Sequence, residues 1–313
     1  MLSRREFQKG LLGLMTVSAL PHRAMARQPS GSVTAVDTHA HVFKRGLQLA
    51  DVRRYAPDYD ALQEDYIRVL DANGVSHAVL VQPSFLGTDN SYLVDALRRY
   101  PRFRGIAVVQ PVISHDELRA LDEAGVVGIR LNLIGLPDPQ LDVEPWPSFL
   151  KRLAELDWQA EVHAEARRLP VLLDPLLKAG VKAVADHFGR PDPTLGTDDP
   201  GFRYLLSTGR TGRVWVKLSG AYRNGNGGVG ERIAQAAVPL LRDSLGVDHL
   251  VWGSDWPHTQ FESVVNYAAI RASLDAWLPD PRERRTVLVD VPVSLFKFDK
   301  VEQPSREPAP IRR

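Results

Sequence analysis

Short apolar runs alternate along this chain with segments whose apolar residues recur every three or four positions. The runs have the length of buried strands, and the periodic segments have the length of amphipathic helices. The predicted strands span 34–42, 77–84, 105–110, 126–133, 158–163, 181–187, 214–219 and 250–255. The predicted helices between them include 62–73, 92–100, 114–123, 147–156 and 231–245.

The order of these elements predicts an α/β fold, a (β/α)8 TIM barrel in a single domain. Eight strands that are apolar enough to be buried on both faces, mostly separated by helices, are typical of this architecture. A doubly wound open sheet is the alternative. The barrel is expected to span 33–300, and 301–313, which contains three prolines and no apolar periodicity, is expected to be a disordered tail.

The first 26 residues have the pattern of an export signal and not of a barrel element. Arg4 and Arg5 precede a continuous apolar run over 11–20, and Ala24-Met25-Ala26 has the form of a cleavage site. The run has about ten residues, too few to cross roughly 30 Å of hydrocarbon. We therefore predict a twin-arginine signal peptide over 1–26, a linker over 27–32, no stable membrane span, and a periplasmic protein whose partner is the twin-arginine export machinery.

The charge and the cysteine content exclude some classes of function. The 313 residues carry 39 basic and 38 acidic side chains, a net charge of +1, which gives no field for holding a nucleic acid. Removing 1–26 leaves 287 residues and shifts the net charge to −2, because four basic residues leave with one acidic residue. The chain has no cysteine, so any metal site must consist of nitrogen and oxygen ligands.

The histidines can be sorted by their position in the predicted strands. Catalytic residues of a (β/α)8 barrel lie at the carboxyl ends of its strands. His77 and His249 stand at strand starts and are expected to be structural. Candidate metal ligands or catalytic groups stand at the predicted strand ends: His39, His41, His163, His187 and Asp255.

Three segments carry a resemblance to a known family. They are Asp37-Thr38-His39-Ala40-His41, Asp186-His187-Phe188-Gly189-Arg190-Pro191 and Trp252-Gly253-Ser254-Asp255-Trp256-Pro257-His258. Together they resemble the amidohydrolase superfamily. More narrowly, the chain is similar to the branch of TIM-barrel hydrolases that includes pyrone dicarboxylate lactonases, sugar lactonases and sulfomuconolactone hydrolases.

The resemblance implies a single Zn²⁺ held by His39, His41, His163 and Asp255. A second ion is not expected, because strand four offers Arg130 and Asn132 but no lysine or glutamate to bridge two metals. Zinc activates water at neutral pH. In this scheme Asp255 is the general base and then the general acid, and His187 polarises the scissile carbonyl.

The same resemblance implies a small acidic substrate and a polar pocket for it. The expected binding residues are Tyr55, Ser84, Arg130, Asn132 and Arg223. Two of them have plainer alternatives: Arg130 can pair with a neighbouring acid, and Tyr55 can be lid packing. Leu136 stands where the pyrone lactonase pattern has a second arginine, which argues against a pyrone dicarboxylate as substrate.

A glycine-rich segment, Gly225-Asn226-Gly227-Gly228-Val229-Gly230, matches the G-x-G-x-x-G pattern of dinucleotide sites. It follows the seventh strand and does not open a βαβ unit, so a dinucleotide site is not expected. A mobile loop over the pocket is the better interpretation.

The favoured function is a zinc-dependent hydrolase that opens a lactone or related cyclic ester bearing an acidic group. One alternative is a metal-dependent decarboxylase of an aromatic or unsaturated acid, which uses nearly the same ligands. Another is a binding protein that keeps the barrel without turnover. The complete ligand set argues against the last of these.

Overall fold

Eight parallel strands form one sheet in the computed structural model, which describes residues 33–298. They are β1 (Val36–Ala40), β2 (His77–Val81), β3 (Phe103–Ala107), β4 (Val126–Asn132), β5 (Gln159–His163), β6 (Lys182–Ala185), β7 (Val214–Leu218) and β8 (Leu250–Trp252). Neighbours pair in sequence order from β1 to β8. Backbone N–H groups of Asp255 and His41 donate to the carbonyls of His39 and Trp256, both at 2.7 Å, and link β1 to the segment after β8.

The sheet is therefore a nearly closed (β/α)8 barrel, and the predicted fold is confirmed. The helices that follow the strands are α1 (Gln63–Ala72), α2 (Ser91–Arg99), α3 (His115–Glu123), α4 (Trp146–Glu155), α5 (Leu169–Lys178), α6 (Pro200–Ser207), α7 (Val229–Leu245) and α8 (Tyr267–Trp277). After α8 come α9 (Pro281–Arg285), a π-helical turn (Thr286–Asp290) and α10 (Val291–Leu295).

The helix α3 shows how a local sequence signal fixes an element boundary. Ser114 accepts a hydrogen bond from the backbone N–H of Glu117, and the Glu117 carboxylate accepts one from the backbone N–H of Ser114. This capping box satisfies two N–H groups that have no partner inside the helix. The helix therefore begins at His115, one residue after the predicted start.

Alternation along the strands divides outward from inward side chains. On β5, Ala160 and Val162 belong to the core between the sheet and the helices. Glu161 and His163 face the barrel interior, where they meet side chains from other strands. Successive side chains on a strand point to opposite faces, so polar residues two apart collect inside the barrel.

The amino end of the barrel interior is mostly apolar. A separate buried cluster there contains Val36, Val79, Val81, Ile106, Val127, Val184, Val251, Val291, Leu295, Phe296 and Phe298. Residues after α9 supply its last four members. Glu161, His163 and Lys217 lie beyond this layer, toward the carboxyl ends of their strands, whereas Gln159 and Arg104 lie beside it.

Some strand boundaries differ from the prediction. β6 ends at Ala185 and β8 at Trp252, so His187 and Asp255 lie two and three residues beyond their strands. Both have left-handed backbone, with φ of 53° and 62°. β3 begins at Phe103 and includes Arg104, whose guanidinium donates to the carbonyls of Pro101 and Phe103, so this polar residue does not interrupt the strand.

The predicted signal peptide 1–26, linker 27–32 and tail 301–313 lie outside the described residues. Within 33–298, every helix is too short or too polar to cross a bilayer.

His77 stands at the start of β2, on the rim opposite the strand ends, as expected. Its ring packs edge-on against Phe298 at 5.2 Å, and burial together with Arg102 and Arg104 lowers its pKa to about 4. The unfolded chain therefore binds a proton at His77 between pH 6.5 and 4, where the folded chain does not. Stability should fall through that window as pH falls, by at most about 1.4 kcal/mol per pH unit and by less where water screens the arginines.

Urea unfolding at pH 7 and pH 4.5 tests this expectation. We expect His77→Gln to lose less stability on acidification than the wild-type chain. The exposed His115→Gln provides the matched control. An identical pH dependence in His77→Gln and the wild type would contradict the expected contribution.

Candidate active site

His39 on β1, His41 one residue beyond it and the carboxylate of Asp255 converge at the carboxyl end of the barrel. Nε2 of His39 lies 3.8 Å from Oδ1 of Asp255, and Nε2 of His41 lies 3.6 Å from the same oxygen. The Nδ1 of His41 donates to the carbonyl of Val81 at 2.7 Å, which leaves its Nε2 lone pair directed at the carboxylate. The strand spacing of two therefore places both rings on one face, as predicted.

The two oxygens of Asp255 have different environments. Oδ2 accepts hydrogen bonds from the Tyr222 hydroxyl and from Nε of Arg223. Oδ1 is buried and has no hydrogen-bond partner among residues 33–298. Burial alone would raise the pKa of Asp255, but the Arg223 guanidinium and the nearby histidines hold it well below its ordinary value. Asp255 is therefore a carboxylate with one free oxygen.

This free oxygen and the two histidines fit a divalent cation. One ligand atom from each of His39, His41 and Asp255 lies within 4.8 Å of the other two, and all three side chains are buried. Imidazole nitrogen and carboxylate oxygen are ligands that zinc accepts. A buried anionic oxygen without a partner is costly, and a bound cation would satisfy it.

The described part of the chain holds two groups of candidate ligands, the group of His39, His41 and Asp255 and a second of His39, Asp186 and His187. His163, the fourth predicted ligand, lies in neither group. Its Nδ1 is 3.3 Å from Nη2 of Arg130, and its ring stands 4.9 Å from that of His187. Its Nε2 is buried without a hydrogen-bond partner among the described residues. The structure therefore brings together three of the four predicted ligands and places His163 beside Arg130.

Arg130 pairs with a buried acid, which was the plainer of its two interpretations. Its Nε and Nη2 donate to Oδ2 of Asp186 at 3.1 and 3.0 Å, and both side chains are almost fully buried. Burial alone would raise the pKa of Asp186, but Lys217, His39 and Arg130 hold it well below its ordinary value. The charge of Arg130 is therefore already paired within the protein.

Arg223 is likewise committed to an acid of the protein. It pairs with Asp255, and its guanidinium lies over the rings of Tyr222 and Phe261, 5.3 Å from each centroid. Its predicted role as a substrate anchor therefore has to be shared with holding Asp255. The Tyr222 contact was not expected from the sequence, although Tyr222 directly precedes Arg223.

His187 faces the same space from the loop after β6. Its Nδ1 lies 2.9 Å from the Ser219 hydroxyl, and its Nε2 is buried with no hydrogen-bond partner among residues 33–298. Burial lowers its pKa to about 3, so the ring is neutral. Gly220 packs so closely that a Cβ there would lie 2.7 Å from Nδ1 of His187.

A buried ion pair beneath the site was not predicted. Nζ of Lys217 lies 2.6 Å from Oε1 of Glu161, and neither side chain is exposed. The same nitrogen lies 3.0 Å from Nδ1 of His39 and 3.5 Å from Oδ1 of Asp186. Strand alternation could have indicated this pair, because Glu161 and Lys217 each precede a polar strand-end residue by two positions.

The remaining predicted binding residues stand at the same end of the barrel. Ser84 is the first residue of a short 3₁₀ turn after β2. Asn132, the last residue of β4, pairs in register with His163, and its Oδ1 has no hydrogen-bond partner among the described residues. Tyr55 packs against Phe85 at 5.6 Å, in line with the packing alternative.

Two further arginines belong to the same region. Arg54 lies over the Tyr55 ring at 5.6 Å, and Nη1 of Arg190 donates to the carbonyl of Arg223. Burial and the neighbouring Arg223 lower the pKa of Arg190 to about 10. Within 33–298, neither Arg54 nor Arg190 forms an ion pair, so both charges are open to an acidic ligand. Arg190 stands in one of the segments that carry the resemblance, and neither arginine was predicted to bind the substrate.

The glycine-rich segment borders a groove next to the site. The groove has a volume of about 480 Å³, and its lining includes Gly225, Gly227, Gly228, Phe261 and Trp277. Gly220 and Tyr222 also line it, so the groove lies beside the Asp255 cluster. The predicted movement of this segment as a lid stays a prediction.

The chain is similar to known proteins over most of its length. The amidohydrolase family profile matches residues 36–298. A 4-sulfomuconolactone hydrolase from Hydrogenophaga intermedia is 32% identical over 273 residues, covering 83% of this chain and 88% of that protein. A 2-pyrone-4,6-dicarboxylate hydrolase from Comamonas testosteroni is 32% identical over 298 residues, covering 90% and 95%.

A solved structure shows the same architecture. The crystal structure from Acinetobacter baumannii described as a probable 2-pyrone-4,6-dicarboxylic acid hydrolase, with citric acid bound, is 41% identical. It superposes with a TM-score of 0.81 over 84% of this chain and 99% of that chain. On the match over 36–298 and these relatives, the chain belongs to the amidohydrolase family and is a hydrolase.

Proposed function

We propose that this enzyme opens a lactone or related cyclic ester that carries an acidic group. The observation that carries the proposal is the buried Oδ1 of Asp255, which has no hydrogen-bond partner among the described residues and lies 3.8 and 3.6 Å from the Nε2 atoms of His39 and His41. The relatives named as lactone hydrolases support the reaction class.

A single Zn²⁺ is part of this proposal. His39, His41 and Asp255 would hold it, and His163 would have to turn toward it to become a fourth ligand. When bound, the metal supplies Lewis-acid activation of water and of the lactone carbonyl. The remaining chemistry belongs to side chains of the protein.

Asp255 is placed to move the proton. Its low pKa keeps it ionised, and Tyr222 and Arg223 hold Oδ2 so that Oδ1 stays directed into the site. We infer that the carboxylate of Asp255 accepts a proton from the attacking water and returns it to the ring oxygen that leaves. This sequence is general base followed by general acid catalysis.

His187 is placed to stabilise charge on the carbonyl oxygen. If the Ser219 hydroxyl donates to Nδ1, the hydrogen of the neutral ring is on Nε2, which has no other acceptor among the described residues. An Nε2–H donor at the carbonyl oxygen acts as part of an oxyanion hole.

We propose that Arg54 and Arg190 bind the acidic group of the substrate. Arg130 and Arg223 are already neutralised by Asp186 and Asp255. The two arginines without an ion pair in the described chain are therefore the stronger attraction for a carboxylate or sulfonate.

A lactone panel tests the reaction. We expect proton release from an acidic lactone such as 4-sulfomuconolactone, followed with a pH indicator, and much slower release from a neutral sugar lactone. Arg190→Met should raise KM for the acidic lactone far more than for the neutral one. If the enzyme released CO₂ from an aromatic acid and opened no lactone, the proposed hydrolysis would be wrong and the enzyme would be a decarboxylase.

Metal removal tests the zinc proposal. Protein dialysed against a chelator should lose nearly all lactonase activity, and one equivalent of Zn²⁺ should restore it. Metal analysis before dialysis should show about one ion per chain, as expected for a three-ligand catalytic site. Full activity in chelator-treated protein that is metal-free by analysis would show that the reaction does not need zinc.

We also propose that the protein is exported to the periplasm by the twin-arginine route. The support is the sequence of residues 1–26. Replacing Arg4 and Arg5 by lysine should leave the protein uncleaved in the cytoplasmic fraction. Unchanged processing in that variant would contradict the assigned route.

A further inference from the structure

The two histidines at the end of β1, His39 and His41, meet opposite hydrogen-bonding partners at Nδ1. Nδ1 of His41 lies 2.7 Å from the carbonyl of Val81, and a carbonyl can only accept. Nδ1 of His39 lies 3.0 Å from Nζ of Lys217, and an ammonium can only donate. A neutral imidazole has one N–H, so these contacts favour opposite tautomers in neighbouring rings.

Lys217 is held firmly in this contact. Its side chain is fully buried, and its ammonium lies between Glu161 at 2.6 Å and Asp186 at 3.5 Å. These acids stand on β5 and just after β6. Burial leaves Nζ no route to water, so it stays against the His39 ring.

The other neighbours of His39 do not reverse this preference. Nη2 of Arg130 lies 3.5 Å from Nε2 of His39, but it makes shorter contacts with Asp186 at 3.0 Å and with Nδ1 of His163 at 3.3 Å. These two contacts use both of its hydrogens. Nε2 of His39 also faces Oδ1 of Asp255, which is an acceptor.

One acceptor can serve the opposite tautomer. Oδ1 of Asp186 lies 3.4 Å from Nδ1 of His39 and has no hydrogen-bond partner among the described residues. A histidine that binds metal almost always donates its other N–H to such an acceptor. His39 thus has a donor and an acceptor competing for one nitrogen.

We propose that Lys217 is a positioning residue that holds metal-free His39 with its hydrogen on Nε2, so that a metal binds only when that hydrogen moves to Nδ1 and Asp186 accepts it. His39 is neutral in both arrangements. Lys217 therefore weakens the metal affinity of the site, both through its charge and through the tautomer it favours. The inference rests on the metal in the proposed function and not on the identity of the substrate.

Nitrogen NMR on the wild-type chain tests the tautomer directly. With ¹⁵N-labelled imidazoles in metal-free protein, His39 should show a protonated, pyrrole-type Nε2 and a pyridine-type Nδ1, and His41 the reverse. His39→Gln and His41→Gln assign the signals. Adding Zn²⁺ should convert His39 to a pyrrole-type Nδ1. A pyrrole-type Nδ1 in metal-free His39 would overturn the proposal.

Metal affinity tests the role of Lys217. The charge-neutral pair of changes Lys217→Met with Glu161→Gln should bind Zn²⁺ about tenfold more tightly in a chelator competition, without any activity assay. Lys182→Met with Asp157→Asn is the matched control, since Lys182 and Asp157 also form a 2.6 Å ion pair but are partly exposed. Unchanged or weaker binding in the Lys217 variant would count against the proposal.

The two tests separate the possible failures. If no lactone is hydrolysed, the proposed function fails while the tautomer and affinity results still stand. If the Lys217 variant does not fold, the NMR measurement on the wild-type chain still decides the proposal.

Discussion

Replacing Asp255 by asparagine is expected to lower kcat/KM for the acidic lactone by about a thousandfold, the middle of the range for a lost general base. Asparagine keeps the shape of the side chain but neither accepts the proton nor provides a charged ligand beside His39 and His41. The measurement is the initial rate of proton release at saturating and at low substrate concentration. A fall in kcat as well as in kcat/KM is expected, because proton transfer belongs to the chemical step.

Asp248→Asn is the matched control for this result. Asp248 precedes β8 at the opposite end of the barrel, and its side chain is 71% exposed. We expect that variant to retain full activity. Near wild-type turnover in a folded Asp255→Asn protein would show that Asp255 is not the base.

Replacing Lys217 alone by methionine is expected to destabilise the fold by about 3–5 kcal/mol, the usual cost of removing one member of a buried ion pair. Glu161 and Asp186 would remain buried without that cation. Burial raises the pKa of Glu161 to about 7 even with Lys217 present, which shows how costly its charge is at this position. Urea unfolding at neutral pH measures the change.

Two comparison variants make this prediction specific. Adding Glu161→Gln to Lys217→Met should recover much of the lost stability, because the uncompensated carboxylate is removed with its partner. Lys182→Met should cost about 1 kcal/mol or less, because its ion pair with Asp157 is partly exposed. Equal losses for Lys217→Met and Lys182→Met would contradict the expected role of burial.

The barrel was predictable because its determinants are local. Apolar runs of strand length and the periodicity of the helices fix each element by its own residues. The strand ends were predicted less well at β6 and β8. His187 and Asp255 have left-handed backbone just past those strands. The pattern of apolar residues does not show where the chain turns at the end of the barrel.

The site was predictable in position and only partly in its contacts. The convergence of His39, His41 and Asp255 followed from strand spacing and from where strands end in a barrel. The positions of Arg130 and Arg223 at the rim followed in the same way. Their ion pairs did not, because Asp186 and Asp255 lie 56 and 32 residues further along the chain.

The sequence by itself determined the fold class, the rim that carries the chemistry and the restriction of any metal to nitrogen and oxygen ligands. Only the tertiary structure decided which charged side chains pair: Arg130 with Asp186, Arg223 with Asp255, and Lys217 with Glu161. It also decided that Lys217 contacts the ring of His39. The physical reason is the separation in sequence over which each effect acts. Periodicity and turn chemistry act within a few residues, whereas buried charges choose partners by distance across the closed barrel.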